Sequence, residues 1–429
     1  MASQKFKILM LGWEFPPQIT GGLGTACEGL TQALARHDVR IHFFMPKLYG
    51  NEAAPYLNLY DVGDPQKAQV QDHEFSDQAE LFFHQIPSFL SPYLRPDHPV
   101  YSSSSRGSDE NFSTPPLTHF SKAPVQHYGY QLFEEVEDYG RRAAVLSKEI
   151  DFDLIHAHDW MTFPAALRIK QKTGKPIILH VHSLESDRAG EGGNPVIHQI
   201  EAGSLHAADA IIAVSHYTKR KMIENYHVNE DKIHVVHNGI TKKRQTSIKR
   251  RFERNPTVLF LGRITFQKGP DYFVEAAIRV LEQLPEVRFI LAGAGDMLEK
   301  LRSRIRMAGA ESSFWFPGFL LGKEVEEVFA LADLYVMPSV SEPFGISVLE
   351  ALHCDVPVLV SRQSGVSEVI QHSLKADFWD VEELVDLIVG ALKYPELGRD
   401  LLQMAQKEMA RLDWNQSATR VAQVYRKFS

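Results

Sequence analysis

Short apolar runs alternate with stretches of helical spacing along most of the chain. FKILMLGW (6–13) and VRIHFFMP (39–46) predict strands. Between them, GLGTACEGLTQALARH sets Leu23, Cys27, Leu30 and Leu34 on one helical face. Strand, helix, strand is the opening of a parallel α/β sheet. Residues 50–127 break the rhythm. They are rich in Pro, Ser, His and Asp, include SSSSRGS (102–108), and predict an insertion with long loops over an active-site mouth. A helix is predicted at 130–150, and strands at 153–158, 176–182, 210–215 and 233–239. After a linker at about 240–255, a second series has strands at 257–264, 287–295, 314–319, 333–339 and 356–361. The expected fold class is therefore α/β, with two doubly wound domains: 1–240, carrying the insertion, and 256–412. Residues 413–429 are helical and are expected to cross back to the first domain.

Composition agrees with a two-domain globular chain. It has 429 residues, 44% hydrophobic and 23% charged. A net charge of −8 gives no global field for nucleic acid or anionic membrane. The basic run TKKRQTSIKRRFER (241–254) reads as a solvated linker. Cys27 and Cys354 are far apart and form no CxxC, which points to a reducing cytoplasm. The apolar N-terminal run is too short for a signal-peptide core with its cleavage site, and no run reaches the roughly 18 apolar residues of a membrane span.

Ligands of doubly wound sheets bind beyond the carboxyl ends of the strands. Four unusual stretches follow strands. TGGLGT (20–25) lets a backbone approach an anion at a helix N-terminus, although it is not the dinucleotide GxGxxG pattern. LGRITFQKG (261–269) puts Arg263 and Lys268 in one glycine-bounded loop, a fork and a point charge suited to a diphosphate. SVSEPFGISVLEAL (339–352) places Glu342 and Glu350 on either side of Gly345 at a helix start. Carboxylates accept hydrogen bonds from paired sugar hydroxyls, so two beside an anion cradle suit a nucleotide sugar. HAHDW (156–160) and HVHS (180–183) each direct two histidines to one side of a strand end. His156 and His180 read as core residues or as support behind the site; His158 and His182 are the stronger site candidates. A metal-dependent hydrolase on these HxH ends is the rival from another enzyme class, with Asp159, Glu185 and Asp187 as the nearest carboxylates.

The combination WEFPP…GGLG, HAHDW, HVHS, GRITFQKG and SEPFGISVLEA resembles glycosyltransferase family 4, the retaining GT-B enzymes, with starch- and glycogen-synthase-like features in the N-terminal half. The likeness spans nearly the whole chain apart from the insertion and the linker. It implies two Rossmann-like domains across a cleft, the C-terminal one holding most of the donor. Arg263 and Lys268 would bind the diphosphate, Glu350 the ribose, and Glu342 the donor sugar. Amides near Gly345 and Ile346 would approach the sugar or phosphate. Gly21 and Gly22 would close on the diphosphate from the other domain. His182 would hydrogen-bond the donor sugar near the reacting carbon, and Asp159 and His158 would serve the acceptor side. The catalytic set is then His182, Glu342, Arg263 and Lys268, with no metal and no cofactor. Two positions depart from glycogen and starch synthases. Ile19 and Thr20 stand where those enzymes carry a lysine two residues before the paired glycines, and SRQSGVSEVI (361–370) replaces a Gly-Gly-Leu element.

The expected activity is retaining transfer of a hexose, glucose first, from UDP- or ADP-glucose to a saccharide acceptor such as an α-glucan. The leaving phosphate would accept the acceptor's proton, and domain closure would exclude water. The alternatives are a transferase making another polysaccharide or a disaccharide, the hydrolase above, and a glucan-binding protein on a catalytically dead scaffold.

Overall fold

The structure is a computed structural model that describes residues 6–16, 22–37, 39–46, 58–60, 80–85, 132–190, 193–240 and 255–428. Two parallel sheets organise it. The first holds β1 (Phe6–Leu11), β2 (Val39–Met45), β3 (Asn58–Tyr60), β4 (Glu80–Gln85), β5 (Leu154–His158), β6 (Ile177–Val181), β7 (Ala210–Ala213) and β8 (Ile233–Val235). Their order is β3-β4-β2-β1-β5-β6-β7-β8. The second holds β9 (Thr257–Leu261), β10 (Arg288–Ala292), β11 (Phe314–Gly318), β12 (Leu334–Met337), β13 (Val358–Ser361) and β14 (Leu374–Ala376), in the order β11-β10-β9-β12-β13-β14. Helices cover both faces of each sheet, so the strands read as nearly unbroken apolar runs.

Three details differ from the sequence expectation. The 50–127 stretch is not only loop: β3 and β4 extend the first sheet in parallel beyond β2. β14 went unread because LKA is three residues with a lysine at its centre. The strand expected at 356–361 begins only at Val358, since Pro357 has no N–H for a ladder.

Strand order reverses between β1 and β5 in the first sheet and between β9 and β12 in the second. These switch points open crevices at the carboxyl ends of the strands. The glycines follow β1, His156 and His158 end β5, the Arg–Lys loop follows β9 and the two-glutamate stretch follows β12.

The helix Trp414–Tyr425 follows the C-terminal half in sequence but packs in the N-terminal core. Trp414, Ala418, Val421, Val424 and Tyr425 join one cluster with Leu30 and Leu34. Gly29 is required there: a Cβ at that position would lie 2.2 Å from the Trp414 ring. The outgoing and returning chains run side by side, with Ile240 N donating to Leu412 O at 3.1 Å.

Candidate active site

On the C-terminal side two loops are tied together. The Val340 amide donates to Gln267 O at 3.0 Å, and Arg263 Nη2 donates to the Gln267 side chain at 2.7 Å. Gly269, at φ +62°, ends the first loop against Pro338 O, where a Cβ would come within 2.0 Å. This packing brings the Lys268 ammonium onto the Glu342 carboxylate as an ion pair. Glu342 is buried, and its backbone is held on both sides by the 361–370 loop, through Gln363 O and the Gly365 amide. Gly345, at φ +106°, starts the helix Ile346–His353, and Glu350 lies in its second turn, half-buried.

The N-terminal side meets this loop pair directly. The helix Gly22–Leu34 begins opposite the helix Ile346–His353: a Cβ at Gly22 would be 3.6 Å from Ile346 Cδ1. Two helix N-termini, one from each half, therefore converge, and their free amides and dipoles favour an anion. Gly21 lies outside the described residues.

Beside this point, β5 and β6 pair with His158 opposite His180. Alternate residues share a face, so His156, His158, His180 and His182 form a two-by-two grid of stacked rings. Ring centroids are 4.2 Å apart for His180 and His182 and 4.5 Å for His156 and His158. His158 Nδ1 and His182 Nε2 are hydrogen-bonded at 2.9 Å, as are His156 Nε2 and His180 Nδ1 at 3.2 Å. Burial holds all four far below the ordinary imidazole range, His158 down to about 3, so the grid is neutral at pH 7.

His158 and Asp159, the two residues expected on the acceptor side, are both buried. His158 is fully buried beneath His182 and presents no surface to an acceptor. Asp159 is also buried, at φ +57°, and its Oδ1 accepts the amides of His182 (2.6 Å) and Ser183 (3.2 Å). Both residues hold the end of β6 in position. Burial pushes the Asp159 carboxyl up to about 7, against the pull of Arg188 and the two amides. The nitrogens of His156, His158 and His180 lie within 4.8 Å of one another, a spacing that would admit a metal ion. Both His156 nitrogens are already hydrogen-bonded, one to Tyr425 and one to His180.

Sequence reasoning singled out Asp187 and Glu185 only as carboxylates near the histidines, and missed Lys221, Tyr217, Arg188 and Glu201 at the cleft. Lys221 Nζ donates to Asp187 (2.6 Å) and to Ser341 Oγ (3.0 Å), Ser341 Oγ donates to Asp187 (2.6 Å), and Tyr217 Oη bonds Ser341 at 2.9 Å. Ser341 precedes Glu342, so this cluster ties the N-terminal half to the loop bearing that carboxylate. Glu368 accepts the His216 and Tyr217 amides at the start of the helix His216–Tyr226, a second tie between the halves. Beneath them, Arg188 is paired with Glu185 (3.2 Å) and Glu201 (2.9 Å) out of solvent. A cavity of about 510 Å³ opens here, lined by Glu185, Ser186, Gly190, His198, Lys221 and Asn225 among others.

Two doubly wound parallel halves that meet through their carboxyl-end loops define a GT-B enzyme. The pattern of glycosyl transferases group 1 matches residues 241–408, and that of glycosyltransferase family 4 matches residues 94–244. The chain is 30% identical over 313 residues to an alpha-maltose-1-phosphate synthase of Mycolicibacterium smegmatis, covering 64% of this chain and 79% of that one. It is 26% identical over 431 residues to a glycogen synthase of Mycobacterium tuberculosis, covering 98% and 94%. Among solved structures, Anabaena HepE in complex with UDP-glucose superimposes with a TM-score of 0.68 at 16% identity, covering 98% of this chain and 99% of that one. The chain belongs to the group 1, family 4 glycosyltransferases and is a transferase enzyme. Among the described residues, no helix is long and apolar enough to cross a membrane.

Proposed function

We propose that this enzyme transfers glucose, with retention of anomeric configuration, from UDP- or ADP-glucose to a saccharide acceptor, an α-glucan first among them. One observation carries the reading. Lys268 is held on Glu342 where helix N-termini from both halves converge. Leaving-group chemistry needs positive charge where the diphosphate becomes more negative, and Lys268, Arg263 and the helix amides supply it. Glu342 then accepts hydrogen bonds from the hexose hydroxyls and Glu350 from the ribose diol. His182, neutral, hydrogen-bonds the sugar near the reacting carbon. The leaving phosphate takes the acceptor's proton, and no metal or cofactor enters the scheme. The acceptor occupies the cavity beside Lys221 and His198, where carboxylate and ammonium are balanced and suit a neutral saccharide. The reaction is assigned to the cytoplasm. The relatives named as maltose-1-phosphate and glycogen synthases support the sugar class, and the HepE complex supports UDP-glucose as a donor.

The test is thermal stabilisation by UDP, ADP and GDP, with and without EDTA, on the wild type and Glu350→Ala. Expected are stabilisation by one diphosphate, indifference to chelator, and a weakened response in Glu350→Ala. No response to any nucleotide, together with destabilisation by EDTA, would favour a hydrolase that uses the histidine nitrogens as metal ligands. Incubation with the selected nucleotide-glucose and malto-oligosaccharide, read by NMR of the new anomeric proton, checks retention. Donor binding without turnover would indicate a glucan-binding protein.

A further inference from the structure

The histidine grid ends on a residue that the mechanism above leaves unused. Tyr425, from the returning C-terminal helix, lies with its hydroxyl 2.5 Å from His156 Nδ1, both groups being fully or almost fully buried. Burial drives the phenol well above its ordinary range, so the hydroxyl keeps its proton. With His156 Nδ1 as its hydrogen-bond partner among the described residues, donating that proton to Nδ1 keeps it from being buried unpaired. A neutral imidazole that accepts at one nitrogen carries its proton on the other. His156 therefore has its N–H at Nε2 and donates it to His180 Nδ1 at 3.2 Å. His180 in turn has its N–H at Nε2.

His180 Nε2 and His158 Nε2 are both buried and have no hydrogen-bond partner among the described residues, in rings stacked at 5.1 Å. With a proton on His180 Nε2, a second one on His158 Nε2 would place two orphan donors in the same dry stack. A bare Nε2 on His158 avoids that. His158 then carries its proton on Nδ1 and donates it to His182 Nε2 at 2.9 Å. His182, neutral, is left with its N–H on Nδ1.

We infer that Tyr425 is a positioning residue for transfer: through His156, His180 and His158 it sets which nitrogen of His182 carries the proton. His182 is thereby presented to the ligand as a hydrogen-bond donor. The inference rests on the role proposed for His182, and the experiment separates the two.

The full-length protein, labelled with ¹⁵N-histidine, is observed by long-range ¹⁵N–¹H correlation, which distinguishes the two neutral tautomers. Expected in the wild type are Nε2–H for His156 and His180 and Nδ1–H for His158 and His182. Tyr425→Phe keeps the ring and removes the donor. It is expected to mix the tautomers along the grid and lower kcat about threefold to tenfold, the population shift that one net buried hydrogen bond supports, with the donor KM unchanged. His156→Gln is the second variant. Its amide N–H takes the place of Nε2 and holds His180 whatever stands at 425, so adding it to Tyr425→Phe is expected to restore the His180 and His182 tautomers and kcat. Unchanged histidine spectra in Tyr425→Phe overturn the inference, as does a kcat loss that His156→Gln fails to rescue while the tautomers return. Shifted tautomers with unchanged kcat keep the relay and remove His182 from the chemistry.

Discussion

The two walls of the cleft handle charge in opposite ways. On the C-terminal wall, Lys268 and Glu342 neutralise each other, and the reaction proposed above reassigns each of them to a ligand group. On the N-terminal wall the histidines are neutral. The charges there are paired with one another, Arg188 with Glu185 and Glu201, and Lys221 with Asp187. In the reaction proposed above, one wall answers the charge of the donor and the other is a prearranged floor that offers hydrogen bonds and shape. Division of labour of this kind lets a leaving group be stabilised without ionising the side that must exclude water.

The contrast can be broken at either wall. Lys268→Ala should have the largest effect, a fall of more than about a hundredfold in kcat, comparable to removing one preorganised group from a developing anion. A near-normal steady-state rate would take the charge response away from the C-terminal wall. Next is Arg188→Met, which leaves Glu185 and Glu201 buried without their cation. Chemical denaturation should show a loss of about 3–5 kcal/mol, and a loss near zero would mean that the floor does not depend on its internal pairing.

The smallest effect sharpens the comparison. The Asp159 carboxyl, raised to about 7 in the fold, holds its proton in the folded state over a range where the unfolded chain has released it. Its contribution to stability therefore falls as pH rises from about 4 to about 7. Asp159→Asn keeps an oxygen for the His182 and Ser183 amides and should flatten that part of the Tm-against-pH curve. An unchanged slope would assign the pH dependence to other groups.

The two walls also differed in how far they could be read beforehand. Arg263 and Lys268 sit in one loop, and Glu342 and Glu350 in one loop-to-helix stretch, so local spacing was enough to bring each pair together. HAHDW and HVHS announced paired histidines but not their grid, because that depends on β5 and β6 aligning His158 with His180. For the same reason the burial of His158 beneath His182 could not be read from HAHDW. Ser341, Asp187 and Lys221 converge from positions 120 and 154 residues apart, a distance at which no sequence pattern operates. The apolar rhythm located most strands, but failed for β14, whose three residues are too few to show a period, and for β3 and β4, set within a polar stretch.

The return of the last helix into the first core has a consequence for how the molecule is made. Translation delivers Gly29 and its neighbours early and Trp414 nearly 400 residues later. Domains emerging from the ribosome ordinarily fold in order, N-terminal first. Here the N-terminal half must wait with an open groove along its first helix until the second half has been synthesised and the Trp414–Tyr425 segment has emerged to close it. A nascent chain stalled before Trp414 would present that apolar groove to chaperones, and the seal on the first half is set by residues made long after it.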